Sequence, residues 1–327
     1  MRRREFIAVL SGAAATWPRI VRAQQASVPL IGVLSSGSAN LRADQSDGLR
    51  RGLKEAGFVE GENLNIVYAG ADDHYDRLPA MAAELVGRSV AVIATAGGPV
   101  AALAAKSATN TIPIVFAAVS DPVRSGLVTS LNRPGGNVTG NAGLTIELDA
   151  KRFELLSELT PATRVIGALV NTNRPGVELE EHDLLAAAKS LGREVVILRT
   201  DDGHSIEAAF DTFAKRNIVG LLVGADALFN DHRQLIVSLA ARYAMAGVYP
   251  WREYVTGGGL VSYGANLSEG YRLSGLYVGR ILKGEKPADL PIIQPEKFEL
   301  AVNLKTARTL GISIPPAVLA RADEVIE

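Results

Sequence analysis

The sequence predicts an α/β chain folded as two doubly wound parallel-sheet lobes joined by hinge crossovers. Three observations carry that expectation. Short apolar runs alternate with helical patterns almost without interruption, which implies a parallel sheet covered on both faces. Most of those runs end in Ser, Thr, Asn, Asp or Gly, as buried strands leading into helix starts do. The whole pattern then restarts after the turn-rich break at Arg133, Pro134, Gly135 and Gly136.

In the first half, residues 29–34 read as a buried strand running into Ser35, Ser36, Gly37 and Ser38. Residues 41–56 carry Leu49, Leu53 and Ala56 at helical spacing, with Gly57 placed to end the helix. Residues 63–68 alternate as a strand, 75–87 are helical, and 90–94 form a strand ending in Thr95, Ala96, Gly97 and Gly98. Pro99 suits the first turn of an alanine-rich helix reaching residue 108. The next strand covers 112–118 and ends at Ser120, Asp121 and Pro122.

The second half repeats this order. Helices are expected over 149–159, 179–191, 205–216 and 232–246, and strands over 165–170, 194–198, 219–223 and 247–250, the last reaching Trp251. The tail adds a strand at 259–263, a helix at 267–282 and a strand at 298–302. In a two-lobed hinge protein these elements cross back and forth. The expected division is residues 28–143 plus about 265–290 as lobe 1, and 146–260 plus about 296–320 as lobe 2. Gly257, Gly258 and Gly259, and the turns near Gly140, are candidate hinge neighbours.

Residues 1–23 read as an address rather than as part of the fold. Arg2, Arg3 and Arg4 precede an uncharged stretch of 13 residues from Phe6 to Pro18, and Val21 and Ala23 stand where a signal peptidase reads. The Arg3–Arg4 pair followed by Phe6 also resembles a twin-arginine export signal. The stretch is shorter than the roughly 20 residues of a spanning helix. An exported, periplasmic location without membrane insertion is therefore expected. Removal of the segment leaves 29 basic and 34 acidic residues. The chain has no cysteine, which excludes disulfides and thiolate chemistry. With no basic block in the body, nucleic-acid binding is not expected.

Ligands of open parallel sheets sit beyond the carboxyl ends of the strands. The candidates there are Ser35, Ser36, Thr95, Gly97, Gly98, Ser120, Asp121, Asn171, Asp226 and Trp251. Hydroxyls and helix-start amides favour a carboxylate, the acidic residues an ammonium or hydroxyl, and Trp251 or Tyr263 a flat or apolar body. Several of these also suit plain structural work: Ser35, Ser36 and Thr95 as helix caps, Asp121 as a turn opener before Pro122, Asp226 as a cap. No phosphate loop, nucleophile elbow or dinucleotide fingerprint is present. His74, His182 and His232 follow acidic residues, and none of the chain's four histidines has the spacing of a metal site. Neither metal nor cofactor is expected.

Residues 113–123 (PIVFAAVSDPV), Gly126-Leu-Val128 and residues 133–140 (RPGGNVTG) resemble the substrate-binding proteins of ABC transporters, the group that includes the tryptophan-binding component. Further matches are Gly48-Leu49, residues 53–57 (LKEAG), 261–264 (VSYG), 281–284 (ILKG), 286–289 (KPAD), 298–307 (FELAVNLKTA) and 314–316 (IPP), spanning essentially the whole chain after the address. The resemblance implies a type I periplasmic-binding fold that clamps a small molecule between its lobes. It implies a monomeric receptor delivering a small, aromatic or amino-acid-like, carboxylate-bearing solute to membrane permease subunits. The contacts it implies are Ser35, Ser36, Thr95 and Asp121 from the first lobe, Asn171, Asp226 and Trp251 from the second, and Tyr263 near the crossover. The tryptophan-binding relatives carry an acidic residue close to where Trp251 stands, so a different aromatic or amphipathic ligand fits this chain as well. A two-lobed sugar- or nucleotide-processing enzyme, and a ligand sensor for a membrane receptor, are the alternatives.

Overall fold

The computed structural model describes residues 28–144 and 148–327; the export signal expected at residues 1–23 lies outside them. The first sheet is built from β1 (Leu30–Ser35), β2 (Asn65–Gly70), β3 (Val92–Ala96), β4 (Ile114–Val119) and β5 (Val138–Ala142), all parallel, in the order β2-β1-β3-β4-β5. Helices α1 (Ala43–Glu55), α2 (Leu78–Gly87) and α3 (Pro99–Ala108) cover it. One apolar layer sets Leu34, Ile93 and Phe116 against α2 and α3; the other sets Ile31, Val33 and Val92 against α1. β5 was not anticipated: its sequence, VTGNA, is short and only partly apolar, and it is a strand because it pairs with β4.

The second lobe takes up α4 (Asp149–Leu159), β6 (Val165–Asn171), α5 (Val177–Ser190), β7 (Glu194–Thr200), α6 (Gly203–Lys215), β8 (Gly220–Val223), α7 (Ala227–Asp231), α8 (Arg233–Arg242), β9 (Ala246–Tyr249), α9 (Arg252–Thr256) and β10 (Val261–Gly264). The helix expected over 232–246 ends at Arg242 and is preceded by the short α7, the two parted at His232 (φ −94°, ψ 14°). α7 forms because the Asp226 carboxylate accepts from the Leu228 amide and caps a turn there. Gly257, Gly258 and Gly259 lie within this lobe between α9 and β10, away from the crossings.

From β10 the chain enters α10 (Leu267–Leu282), which belongs with the first lobe. Tyr277, Val278 and Ile281 of α10 share an apolar layer with Leu49 and Leu53 of α1. The two helices meet backbone to backbone: a Cβ on Gly52 would stand 1.9 Å from the Arg272 carbonyl oxygen, and one on Gly275 would stand 2.2 Å from that of Leu49. Only glycine allows that approach.

The chain then returns to the second sheet as β11 (Glu299–Asn303), α11 (Leu304–Leu310), α12 (Pro316–Leu319) and β12 (Glu324–Ile326), giving the order β12-β11-β10-β9-β8-β6-β7. β11 runs antiparallel to β10, the one such strand pair among the described residues. The reason is topological: the chain leaves β10 at the cleft, passes through the first lobe and re-enters from the same end. Among the described residues no helix is long and apolar enough to cross a membrane.

The lobes touch. The apolar layer formed by Phe210, Phe213 and Phe229 of the second lobe continues through Ala225, Leu228 and Trp251 to Ala96, Ala117 and Tyr271 of the first.

Candidate functional site

The carboxyl ends of the strands of both lobes face one cleft, which holds three connected spaces. A chamber of about 530 Å³ beside the crossings is lined by Ala118, Trp251, Leu267, Leu273, Ile293 and neighbouring residues, with Glu269, Glu296, Lys297 and Glu299 also in its wall. A chamber of about 310 Å³ at the opposite flank is lined by Ser120, Asp121, Arg124, Arg174, Glu180 and Asp183, among others. Between them lies a throat of about 40 Å³, where Gly97, Gly98 and Ala117 face Arg174, Asp226 and Trp251. The throat shares Ala118, Trp251 and Leu267 with the larger chamber and Pro99, Ser120 and Arg174 with the smaller.

Polar bonds hold the lobes together over the throat. Asn171 Nδ2 donates to Asp226 Oδ1 at 2.8 Å and to the Tyr75 hydroxyl oxygen at 3.0 Å; that hydroxyl in turn donates to Asp226 Oδ1 at 3.3 Å. Burial, with the carboxylates of Asp226 and Asp73 nearby, raises the Tyr75 hydroxyl above its ordinary range, so it remains a donor. A second set of contacts lies farther out. The Ser38 amide donates to Asp231 Oδ2 at 3.2 Å, Arg42 Nη1 to the Asp231 carbonyl at 3.1 Å, and Arg233 stands 3.6 Å from Asp44. Asp73 sits 3.8 Å from His232, and burial together with Asp231, Asp226 and Asp72 pushes its carboxyl up to about 7.

Of the residues singled out from sequence, Gly97, Asp226 and Trp251 meet in the throat. At Gly97 (φ +84°) a Cβ would stand 2.1 Å from Ser36 Oγ and 3.2 Å from Ala227 Cβ of the other lobe, so glycine serves both the turn and the approach of the lobes. Ser36 is fully buried and donates from Oγ to the Gly97 carbonyl at 2.7 Å, fixing that turn. Asn171 acts within the polar bridge. Asp121 lines the flank chamber, but its Oδ1 accepts from the amides of Val123 and Arg124 as a turn cap. Ser35 and Thr95 are buried and line none of the three spaces; Thr95 Oγ1 has no hydrogen-bond partner. Tyr263 packs its ring on Phe298, centroids 6.2 Å apart, on the face of the second sheet away from the throat.

Two residues of the site were not anticipated. Tyr75, placed only at a helix start, spans the lobes. Arg174, in the loop after β6, is 6% exposed and lines both the throat and the flank chamber. Its Nη1 donates to the Ala225 carbonyl at 2.9 Å and to Glu180 Oε2 at 3.3 Å. Burial outweighs Arg174 at Glu180 and pushes that carboxyl up to about 7. A cation in a strand-end loop is the signal that was available for Arg174.

The chain matches the model of the ABC transporter substrate binding protein family over residues 30–326. It is 28% identical over 266 residues to a tyrosine-binding protein of Clostridioides difficile, covering 81% of this chain and 76% of that one. It superposes with a TM-score of 0.81 on an L-Trp complex of an ABC domain from Streptococcus pneumoniae, at 26% identity over 92% of this chain and all of the other. On the ligand-free, open structure of a Clostridium difficile substrate-binding protein with adhesive properties the TM-score is 0.62, at 25% identity over 91% of this chain and 99% of the other. The fold is the type I periplasmic-binding fold, and the chain belongs to the family of ABC transporter substrate-binding proteins.

Proposed function

We propose that this chain is the exported solute receptor of an ABC importer, and that it captures an amino acid with an aromatic or amphipathic side chain between its lobes for delivery to a membrane permease. The observation that carries this reading is the throat, where Asp226 and Arg174 of the second lobe stand with Trp251 opposite the glycine turn of the first. A carboxylate, a cation and an aromatic face around one gap suit a zwitterion with an apolar body. The relatives that bind tyrosine and tryptophan support that ligand class. Closure follows from linkage: a ligand that touches both lobes favours the closed form by its differential contacts, and the closed face is what a permease can recognise. Tyr75 over the throat, and Asp231 with Arg42 and Ser38 farther out, bridge the lobes, so the ligand need supply only part of the closing free energy.

The test is a thermal-shift titration of dialysed protein with L-tyrosine and L-tryptophan. A dose-dependent rise in melting temperature is expected, with the amino acid recovered unchanged, because binding only the folded form stabilises it. Conversion of the amino acid, or no shift with either, overturns the proposal.

A further inference from the structure

We propose that Arg174 is the carboxylate anchor of the cleft, with Glu180 as its positioning residue, so that the ligand lies with its acid group at Arg174 and its apolar body toward Trp251 and the crossing-side chamber. This inference rests on the amino-acid reading above and gives it an orientation and a chemical requirement.

Arg174 and Glu180 form an incomplete ion pair. Both side chains are buried, Arg174 to 5% and Glu180 to 1% exposure, yet they meet through a single contact of 3.3 Å. A self-sufficient Arg–carboxylate pair uses both oxygens and two nitrogens. In this pair Glu180 Oε1 has no hydrogen-bond partner, and both bonds on the Arg174 side use Nη1. Nε and Nη2 have no partner among the described residues, on a side chain that lines both the throat and the flank chamber. Leaving a buried guanidinium half-satisfied is costly unless something else takes up those donors. Their parallel geometry matches a carboxylate.

The groups around Arg174 give the rest of the orientation. Asp226 lies in the same throat, its Oδ1 occupied by Asn171, Tyr75 and the Leu228 amide, which leaves Oδ2 for an ammonium group. Trp251 borders both the throat and the 530 Å³ chamber, so an aromatic or aliphatic body directed away from Arg174 meets the indole and then Leu267, Leu273 and Ile293. A fork held from behind by Glu180 and the Ala225 carbonyl fixes where the acid group sits.

The experiment uses the mature protein and isothermal titration with paired probes: L-tyrosine, L-tryptophan and L-leucine, each beside its carboxamide. The anchor requires the free acid to bind on the order of 100-fold more tightly than the amide. Arg174→Met with Glu180→Met removes the pair as a unit, so no buried charge is stranded, and should abolish that preference while the protein stays folded. Glu180→Gln keeps an acceptor for Arg174 and should retain the preference; Glu180→Ala should shrink it. Equal affinity for acid and amide overturns the anchor and leaves the aromatic amino-acid reading standing. Binding of L-leucine alone, dependent on Arg174, supports the anchor and removes the aromatic reading. If no free acid binds, both fall.

Discussion

The first lobe meets the throat with Gly97, Gly98, Pro99, Ala117 and Ala118 beside Gln45, Ser120 and Tyr271, whereas the second brings both charged side chains, Arg174 and Asp226, with Asn230 and Trp251. The glycine and alanine positions of the first wall allow close approach; the charged groups and the indole of the second supply chemistry. The contrast suggests a division of labour, with the second lobe reading the ligand and the first closing on it. Tyr75 is a first-lobe side chain that joins the polar bridge of the second.

Substitutions can separate these roles. Asp226→Ala removes the acceptor shared by Asn171, Tyr75 and the Leu228 amide, and should lower amino-acid affinity on the order of 100-fold. Its melting temperature without ligand should drop by the few degrees expected for a lost helix cap. Gly97→Ala acts on the other wall. Its Cβ would press on Ser36 and Ala227 at a positive φ, so the lobes should fail to close fully, with affinity down at least about 10-fold. Titration calorimetry of the two variants distinguishes the walls: loss of reading should alter selectivity among amino acids, whereas loss of closure should weaken all ligands alike. Equal loss of selectivity in both would erase the contrast.

The smallest effect expected is that of pH. Asp73 faces Asp72, Asp226, Asp231 and His232, and its carboxyl is held near 7, above its ordinary range. The closed form therefore binds a proton that the open, hydrated form releases. Closure should be favoured at low pH and weaken as pH rises through the ordinary carboxylate range to about 7, then level off. A few-fold fall in affinity between pH 6 and pH 8, reduced in Asp73→Asn, is the expected outcome, read by the same calorimetry.

Much of this architecture was legible from the chain alone because buried parallel strands announce themselves as apolar runs. Residues 165–170 and 219–223 read as strands for that reason. β5 and β12 did not, since each is short and defined by the strand it pairs with. Likewise, Gly97, Asp226 and Trp251 could be named from their places at strand ends. Tyr75 could not, because its partners Asn171 and Asp226 lie in another lobe about a hundred residues or more away, a juxtaposition that only closure creates. Arg174 stands three residues beyond Asn171, and its burial beside Glu180 follows from the packing of α5 on β6 rather than from any local pattern.

Small-angle X-ray scattering of the mature protein, dialysed and then titrated with L-tyrosine, tests the central claim most directly, since capture between lobes must change the shape of the molecule. The radius of gyration should fall to a plateau as ligand saturates, reaching the compact form described above. Saturable binding with an unchanged radius would mean that the amino acid is held without closure of the lobes, and would contradict the account.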